Sequence, residues 1–431
     1  MLAALKRLRI DPGHAAFAVV LVICLGWSLA TATCRAEDQA IDKKELPKKK
    51  SDIQAILRAG SIAPADAALF DKFFNEFLLE QFVKPWPNMR GPFAYSLDDL
   101  PKLRRDIKNL LLLAKSGPAH DRVNALVYDV LAKVLRSSYP DHEAAIKYNA
   151  LLLLGDLNED DQPGKPKPWS KPFPVLLKVV QSPKFKDYMK TAALVGIERY
   201  AVLGAIPADN VADVTKVLVD LVNQQDPPAG RDPAAHQYLR RCAGEILAFI
   251  GRPGPGNCVV KALENVAVDP KARPTLRCEM AQFLGQLKYP PAAKVDLQQL
   301  ANGLGHQTIE VCKQELDAAK AANRAPRRRM IVYSLASTMV AVGGNDGKGG
   351  LKSSASGTTA EFIGSLYAKV KLLHSECESS DSADGLLDTE AVEISAKLDD
   401  LERVLAPKTA AKPEPLMAAE RKDPIAAPAK Q

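Results

Sequence analysis

DPAAHQYLRRCAGEILAFIG, residues 232–251, carries a spacing that the rest of the chain repeats. From Leu239, apolar residues recur at Ala243, Leu247 and Ile250, with Pro233 six residues before and Arg240 directly after. Steps of four, four and three return to one face of a 3.6-residue helix. DPKARPTLRCEMAQFLGQL, residues 269–287, matches without a gap through Pro270, Leu276, Arg277, Met280, Leu284 and Leu287. Upstream, Pro183, Met189, Lys190, Ala193, Ile197 and Tyr200 fit the same frame, as do Pro140, Ile146, Lys147, Ala150, Leu154 and Leu157. A proline at a helix start gives up only an N–H that would lack a partner, and Asp232 and Asp269 are placed to cap the first turn. The spacing predicts proline-led helices, each with a basic residue just after its first apolar position.

The reference positions fall at 146, 189, 239, 276 and, less well, 331, where Val332 replaces the basic residue. A further apolar segment precedes each copy: Val123–Leu135, Val175–Val180, Val211–Val222, Val259–Val266 and Val295–Leu304. Paired helices at a period near 40 residues point to an array whose units bury their apolar faces on one another. Over roughly 121–343 the chain resembles the HEAT-repeat family. That family's second helix typically reads apolar, basic, two residues, alanine, three residues, leucine, as in LRRCAGEIL and, with methionine for alanine, LRCEMAQFL. The resemblance implies an all-α, right-handed α-α superhelix of about five helical pairs, with helical N- and C-terminal caps. It also implies a protein-binding scaffold more readily than an enzyme, and it carries no catalytic residue across.

Composition agrees with thin helical layers: 47% of the 431 residues are hydrophobic and only 6% aromatic. The 58 basic and 51 acidic residues give a net charge of +7. Lys6, Arg7, Arg9 and Arg35 against Asp11 account for three of these charges, and the remainder is too mild to argue for nucleic acid. Residues 1–36 read as an export signal: a basic start, an apolar run through Ala15–Leu25, then small residues at Ala30–Ala32 and Cys34–Ala36. The alternative is an uncleaved anchor, the chain's one expected membrane contact, since the apolar run nears the ~18–20 residues that span a bilayer. The expected location is therefore exported, periplasmic or cell-envelope. Of seven cysteines, Cys242, Cys258, Cys278, Cys312 and Cys377 would remain, three of them within helical patterns where cysteine behaves as a small apolar residue.

Residues 37–60, rich in lysine, read as a flexible basic spacer, and 61–343 as the array with an N-terminal capping helix. That helix gathers Phe70, Phe73, Phe74, Phe77 and Phe82, either as a cap or as an aromatic docking surface represented by Phe74. Trp86 and Trp169 sit in Pro-interrupted loops; the second, Asn158–Pro174, holds five prolines and predicts no regular structure. With Gln224–Arg231 and Ala321–Arg329 it is expected to line one rim. Arg324, Arg327, Arg328 and Arg329 form the most basic spot, which makes Arg327 and Arg328 candidates for an anionic partner. Residues 344–359 read as a Gly/Ser linker, 360–405 as two further helices, and 406–431 as a disordered tail.

Chemistry finds no foothold in the motifs. His142 in HEAAI lacks the second histidine of a metalloprotease helix, no Cys/His cluster suggests zinc, and no Gly-x-Ser-x-Gly elbow occurs. No cofactor is expected. Three functions remain: an exported protein-interaction scaffold with an unidentified protein partner, a tethered structural component of the cell envelope, and an envelope enzyme or its subunit. The first is favoured, because repeats offer an extended surface and no catalytic set is visible.

Overall fold

The computed structural model describes residues 44–82, 99–138, 143–345, 349–378 and 385–405. The protein is predominantly helical. Its contacts divide into two compact units rather than the single array expected over 61–343: residues up to Ala150 with Leu157–Lys167, and Leu151–Asp156 with Pro168 onward.

The first unit contains α1 (Lys50–Ala59), α2 (Ala67–Lys72, continuing as a π-helical stretch to Leu78), α3 (Leu100–Ala114), α4 (Pro118–Arg136) and most of α5 (Glu143–Asp156). The expected spacer at 37–60 is thus folded where it is described. Ile53 and Leu57 are fully buried where α1 packs against α3, and so is Leu46 in the turn before α1, which packs on the π-helical stretch. The phenylalanines form the centre of this unit, with ring centroids 4.9 Å apart for Phe70–Phe74 and 5.3 Å for Phe73–Phe77. The loop after α5 carries a short ladder, β1 (Asn158–Asp160) with β2 (Lys167–Pro168), where no regular structure was expected.

The second unit holds α6 (Phe173–Gln181), α7 (Asp187–Val202), α8 (Val211–Asn223), α9 (Pro233–Ile250), α10 (Cys258–Val268), α11 (Pro274–Gln286), α12 (Leu297–Ala321), α13 (Arg328–Gly343), α14 (Gly357–Glu378) and α15 (Asp388–Glu402). Each even-numbered helix from α6 to α12 packs on the odd-numbered helix that follows it. The second helices also pack in succession, α7 on α9, α9 on α11 and α11 on α13, and the first helices do the same. The repeated frame is the contact face: Met189, Ala193, Ile197 and Tyr200 on α7, and Leu276, Met280, Leu284 and Leu287 at α11, are all buried. The 55-residue step to the last copy has a simple cause, since α12 runs for 25 residues whereas α10 has 11.

In the two copies where the basic residue of the frame is arginine, it proves to be a buried clamp. Arg240 Nε donates to the Val222 carbonyl at 2.9 Å, in the last turn of α8. Arg277, 0% exposed, makes the same bond to Ala267 in the last turn of α10 at 3.0 Å, and its Nη2 meets Glu310 at 3.0 Å. A helix leaves its last carbonyls without internal partners, and its C-terminus favours positive charge. Each arginine therefore closes the first helix of its pair from the second. The prolines behave less uniformly. Pro233 opens α9, and Asp232 accepts from the Ala234 and Ala235 N–H groups, as expected. Pro270 does not open α11, which starts at Pro274; Asp269 instead caps a turn before it, accepting from Lys271 N.

The second helices approach through glycines. A Cβ on Gly155 of α5 would lie 2.6 Å from Gly196 Cα of α7, and one on Gly244 of α9 would lie 2.8 Å from Met280 Sδ of α11. At Gly285 it would lie 2.5 Å from Ala341 Cα and 2.7 Å from the Val340 carbonyl oxygen, backbone that cannot swing away. The expected linker at 344–359 is also docked: Gly350 N donates to Gly285 O at 3.0 Å, and Leu351 is buried. Gly285→Ala is expected to destabilise the protein by about 1–3 kcal/mol through overpacking. Gly303→Ala, whose Cβ would meet nothing nearer than 3.8 Å, should stabilise α12 by about 0.5–1 kcal/mol. Urea unfolding midpoints of the two variants check the contrast.

Candidate functional site

A cleft of about 1400 Å³ in the second unit is built by the loops that join one helical pair to the next. Each loop breaks where glycine and proline leave no alternative. Gly251 ends α9 at φ 69°, and Gly254 sits at φ 76°, where an added Cβ would lie 2.7 Å from Cys258 Sγ. Pro253 and Pro255 punctuate this loop, and Pro290 and Pro291 the next. Successive loops are laced together: Lys288 N donates to Gly251 O at 3.0 Å, and Asn257 Nδ2 donates to Ala293 O at 2.9 Å. The bond from Gly350 to Gly285 extends the lacing to the segment after α13. Val211, Ala212 and Thr215, at the start of α8, close the cleft on another side.

The electrostatics of this cleft are one-sided. Arg252 and Lys288 are exposed at its edge, neither has an ion-pair partner among the described residues, and no carboxylate lines it. Its hydroxyls are partly committed, Thr215 Oγ1 donating to Val211 O and Ser353 Oγ to Gly350 O. No histidine or cysteine lines it either, so nothing in it titrates near neutrality or is placed as a nucleophile–base pair. The cleft offers cations, amides and apolar proline edges.

The residues singled out from sequence lie elsewhere. Phe74 is fully buried in the first unit, so the aromatic cluster is core rather than a docking surface. Trp86 lies outside the described residues. Trp169 is half-buried, its carbonyl accepting from the Tyr200 hydroxyl at 2.5 Å and its ring lying 5.3 Å from Lys171 Nζ. Arg327 and Arg328 are not an open anion site. Arg327 Nη2 and Arg324 Nη1 meet Glu315 of α12 at 2.6 and 2.7 Å, and Arg328 meets Glu390 of α15 at 3.2 Å. Glu315 is only 3% exposed; this α12 carboxylate joins α12 to the start of α13, where the frame has Val332 instead of an arginine. Of the three chosen loops, Gln224–Arg231 and Ala321–Arg329 join helices within a pair of the second unit, whereas the cleft loops join one pair to the next; Asn158–Pro174 is divided between the two units.

Two further groups of side chains were invisible in sequence. In the first unit His120 and Asp161, 41 residues apart, meet at 2.8 Å and are both buried. Asn124 Nδ2 donates to His120 Nδ1 at 3.3 Å and to Asn158 O at 2.6 Å, which leaves His120 Nε2–H as the donor to Asp161. The network pins the loop after α5 and is closed to substrate. The five described cysteines form no disulfide. Burial pushes the Cys242, Cys278 and Cys312 thiols up, and that of Cys377 to about 11, so none is a ready thiolate. Among the described residues no group of three metal-ligating side chains occurs, and no helix is long and apolar enough to cross a membrane. The proposed export signal at 1–36 lies outside the described residues.

The chain matches no protein-family model, and neither a curated protein nor a solved structure is detectably similar to it.

The Glu315 cluster gives a pH dependence of defined sign. Burial alone would push this carboxyl up, but bonds from Arg327, Arg324 and the Arg327 N–H outweigh it and bring the pKa from 4.5 down to about 2. A depressed carboxylate pKa contributes stability that is full above the unfolded value and is lost as pH falls through the folded one. Glu315→Gln is therefore expected to lower the unfolding midpoint at neutral pH. The gap to wild type should narrow from about pH 4.5 toward pH 2, as read by urea titrations across that range.

Proposed function

We propose that the helical pairs form a HEAT-like right-handed solenoid and that this chain is an exported protein-interaction scaffold. Its between-pair cleft holds an extended segment of a partner protein. The cleft itself carries this reading: about 1400 Å³ bounded by consecutive, mutually bonded loops, with two unpaired cations and no carboxylate. Stacked helical units characteristically bind along a surface that crosses several repeats, and loops on a rigid scaffold are free to specialise. An extended chain suits such a cleft because exposed loop backbone and the Gln286 and Asn345 amides meet main-chain groups, while Pro253, Pro290 and Ala292 meet apolar side chains. The alternation of first and second helices supports the solenoid, and the buried basic residue of the frame supports its HEAT-like character. Export rests on the composition of residues 1–36 and is tested by the N-terminal residue of the protein recovered from its native cell.

The scaffold reading is tested by parallel affinity capture with the wild-type chain and the Arg252→Glu/Lys288→Glu double variant, both exposed positions, with circular dichroism confirming equal helicity. Proteins retained reproducibly by wild type are expected to be lost or reduced at least tenfold with the variant. Identical retention by both would remove the cleft as the binding surface.

A further inference from the structure

A second, smaller pocket of about 480 Å³ lies at the other end of the pairs, where the C-terminal ends of α6 and α8 meet the start of α7. Lys190 lines it and is 9% exposed. Lys190 occupies the frame position of Arg240 and Arg277, which spend their guanidinium on a carbonyl of the preceding helix. The ammonium of Lys190 makes no hydrogen bond or ion pair among the described residues. Its neighbour one turn back, Asp187, is already engaged: Arg231 Nε meets both carboxylate oxygens, at 2.9 and 3.0 Å. Arg231 also contacts His236 Nδ1 at 3.0 Å, and His236 Nε2 donates to Gln224 O at 2.7 Å, so these groups are mutually satisfied. With Asp187 already taken by Arg231, the ammonium of this mostly buried side chain faces the pocket without a carboxylate bonded to it. Burial, and then Arg231, hold the Lys190 pKa below the usual lysine value.

We propose that this pocket binds a monocarboxylate with a short apolar body, its carboxylate paired with Lys190 and its body against Val180, Val217, Leu221 and Pro183. One uncommitted cation matches one negative charge. Asp220, exposed at the lining, disfavours a dianion such as phosphate. The volume falls in the lower part of the range for small-ligand sites, about 300–1,000 Å³. The same chemistry is carried by a free short-chain acid and by the C-terminal carboxylate of an apolar peptide. This site is separate from the between-pair cleft, and its failure leaves the scaffold reading untouched.

Calorimetric titration of the full chain with hexanoate tests the proposal, with 1-hexanol as the uncharged control and an apolar tripeptide offered with a free or an amidated C-terminus. Lys190→Met removes the charge. Lys190→Arg supplies the side chain that closes the preceding helix in α9 and α11, so it should fold at least as well as wild type while no longer presenting an uncommitted cation. Hexanoate is expected to bind wild type and to bind either folded variant at least tenfold more weakly, with no binding of hexanol. Tighter binding of the free-terminus tripeptide than of hexanoate assigns the pocket to a peptide end; the reverse assigns it to a small acid. Equal affinity in wild type and Lys190→Arg, hexanol binding as well as hexanoate, or no binding of any carboxylate would overturn it.

Discussion

A guanidinium buried between two helices holds each middle pair of this protein together. Arg240 and Arg277 sit where water is excluded, and each gives its Nε–H to a carbonyl that the preceding helix cannot satisfy by itself. The arrangement is demanding, because Arg240 Nη2 and Arg277 Nη1 are left buried without a hydrogen bond. Each arginine thus joins one defined carbonyl of the first helix to the second, while one of its own nitrogens goes without a partner. Where the arginine is missing, at Val332, the pair is joined by another means: Glu315 on α12 gathers Arg324 and Arg327, and the Thr308 and Thr338 hydroxyls meet between α12 and α13.

That clamp separates the two ends of the second unit. At the end where first helices stop, charged side chains are paired with one another, as Asp187–Arg231 and Glu315–Arg327 show. At the end where second helices stop, glycine and proline replace charge, the loops are bonded backbone to backbone, and Arg252 and Lys288 remain uncommitted. The cluster around Arg327 is thus electrostatically spent, while two isolated cations, Arg252 and Lys288, have no ion-pair partner among the described residues. Lys190 is the exception at the end where first helices stop, a lysine at the position where the next two pairs carry arginine.

Close packing of the second helices depends on the smallness of a few residues. Gly155, Gly196, Gly244 and Gly285 each take a neighbouring helix at a distance that a methyl group would block. These contacts make the layer of second helices dense, in keeping with an interior that has room for few aromatic rings. The first unit is organised differently before α5, around tilted phenylalanine rings and a buried histidine–aspartate contact.

How much of this was legible depends on whether the information is local. The helix class, the paired segments, the cap at Asp232 and the burial of Leu239, Ala243, Leu247 and their counterparts follow from spacing, because helical periodicity is a property of consecutive residues. Proline was only half legible: it marks a break, but which of Pro270 and Pro274 begins a helix depends on how the turn before it packs. The cleft left a faint trace in RPGPGN and LKYPPAA, which follow the frame at matching positions, yet only the fold brings those loops together. Whether an arginine is free or spent was not legible at all. Glu315 lies 12 residues from Arg327, Glu390 lies 62 from Arg328, and Asp161 lies 41 from His120. Sequence determined which faces are apolar and where the chain turns; tertiary structure alone decided which charges cancel, since a charge is neutralised by whatever folding places within a few ångströms of it.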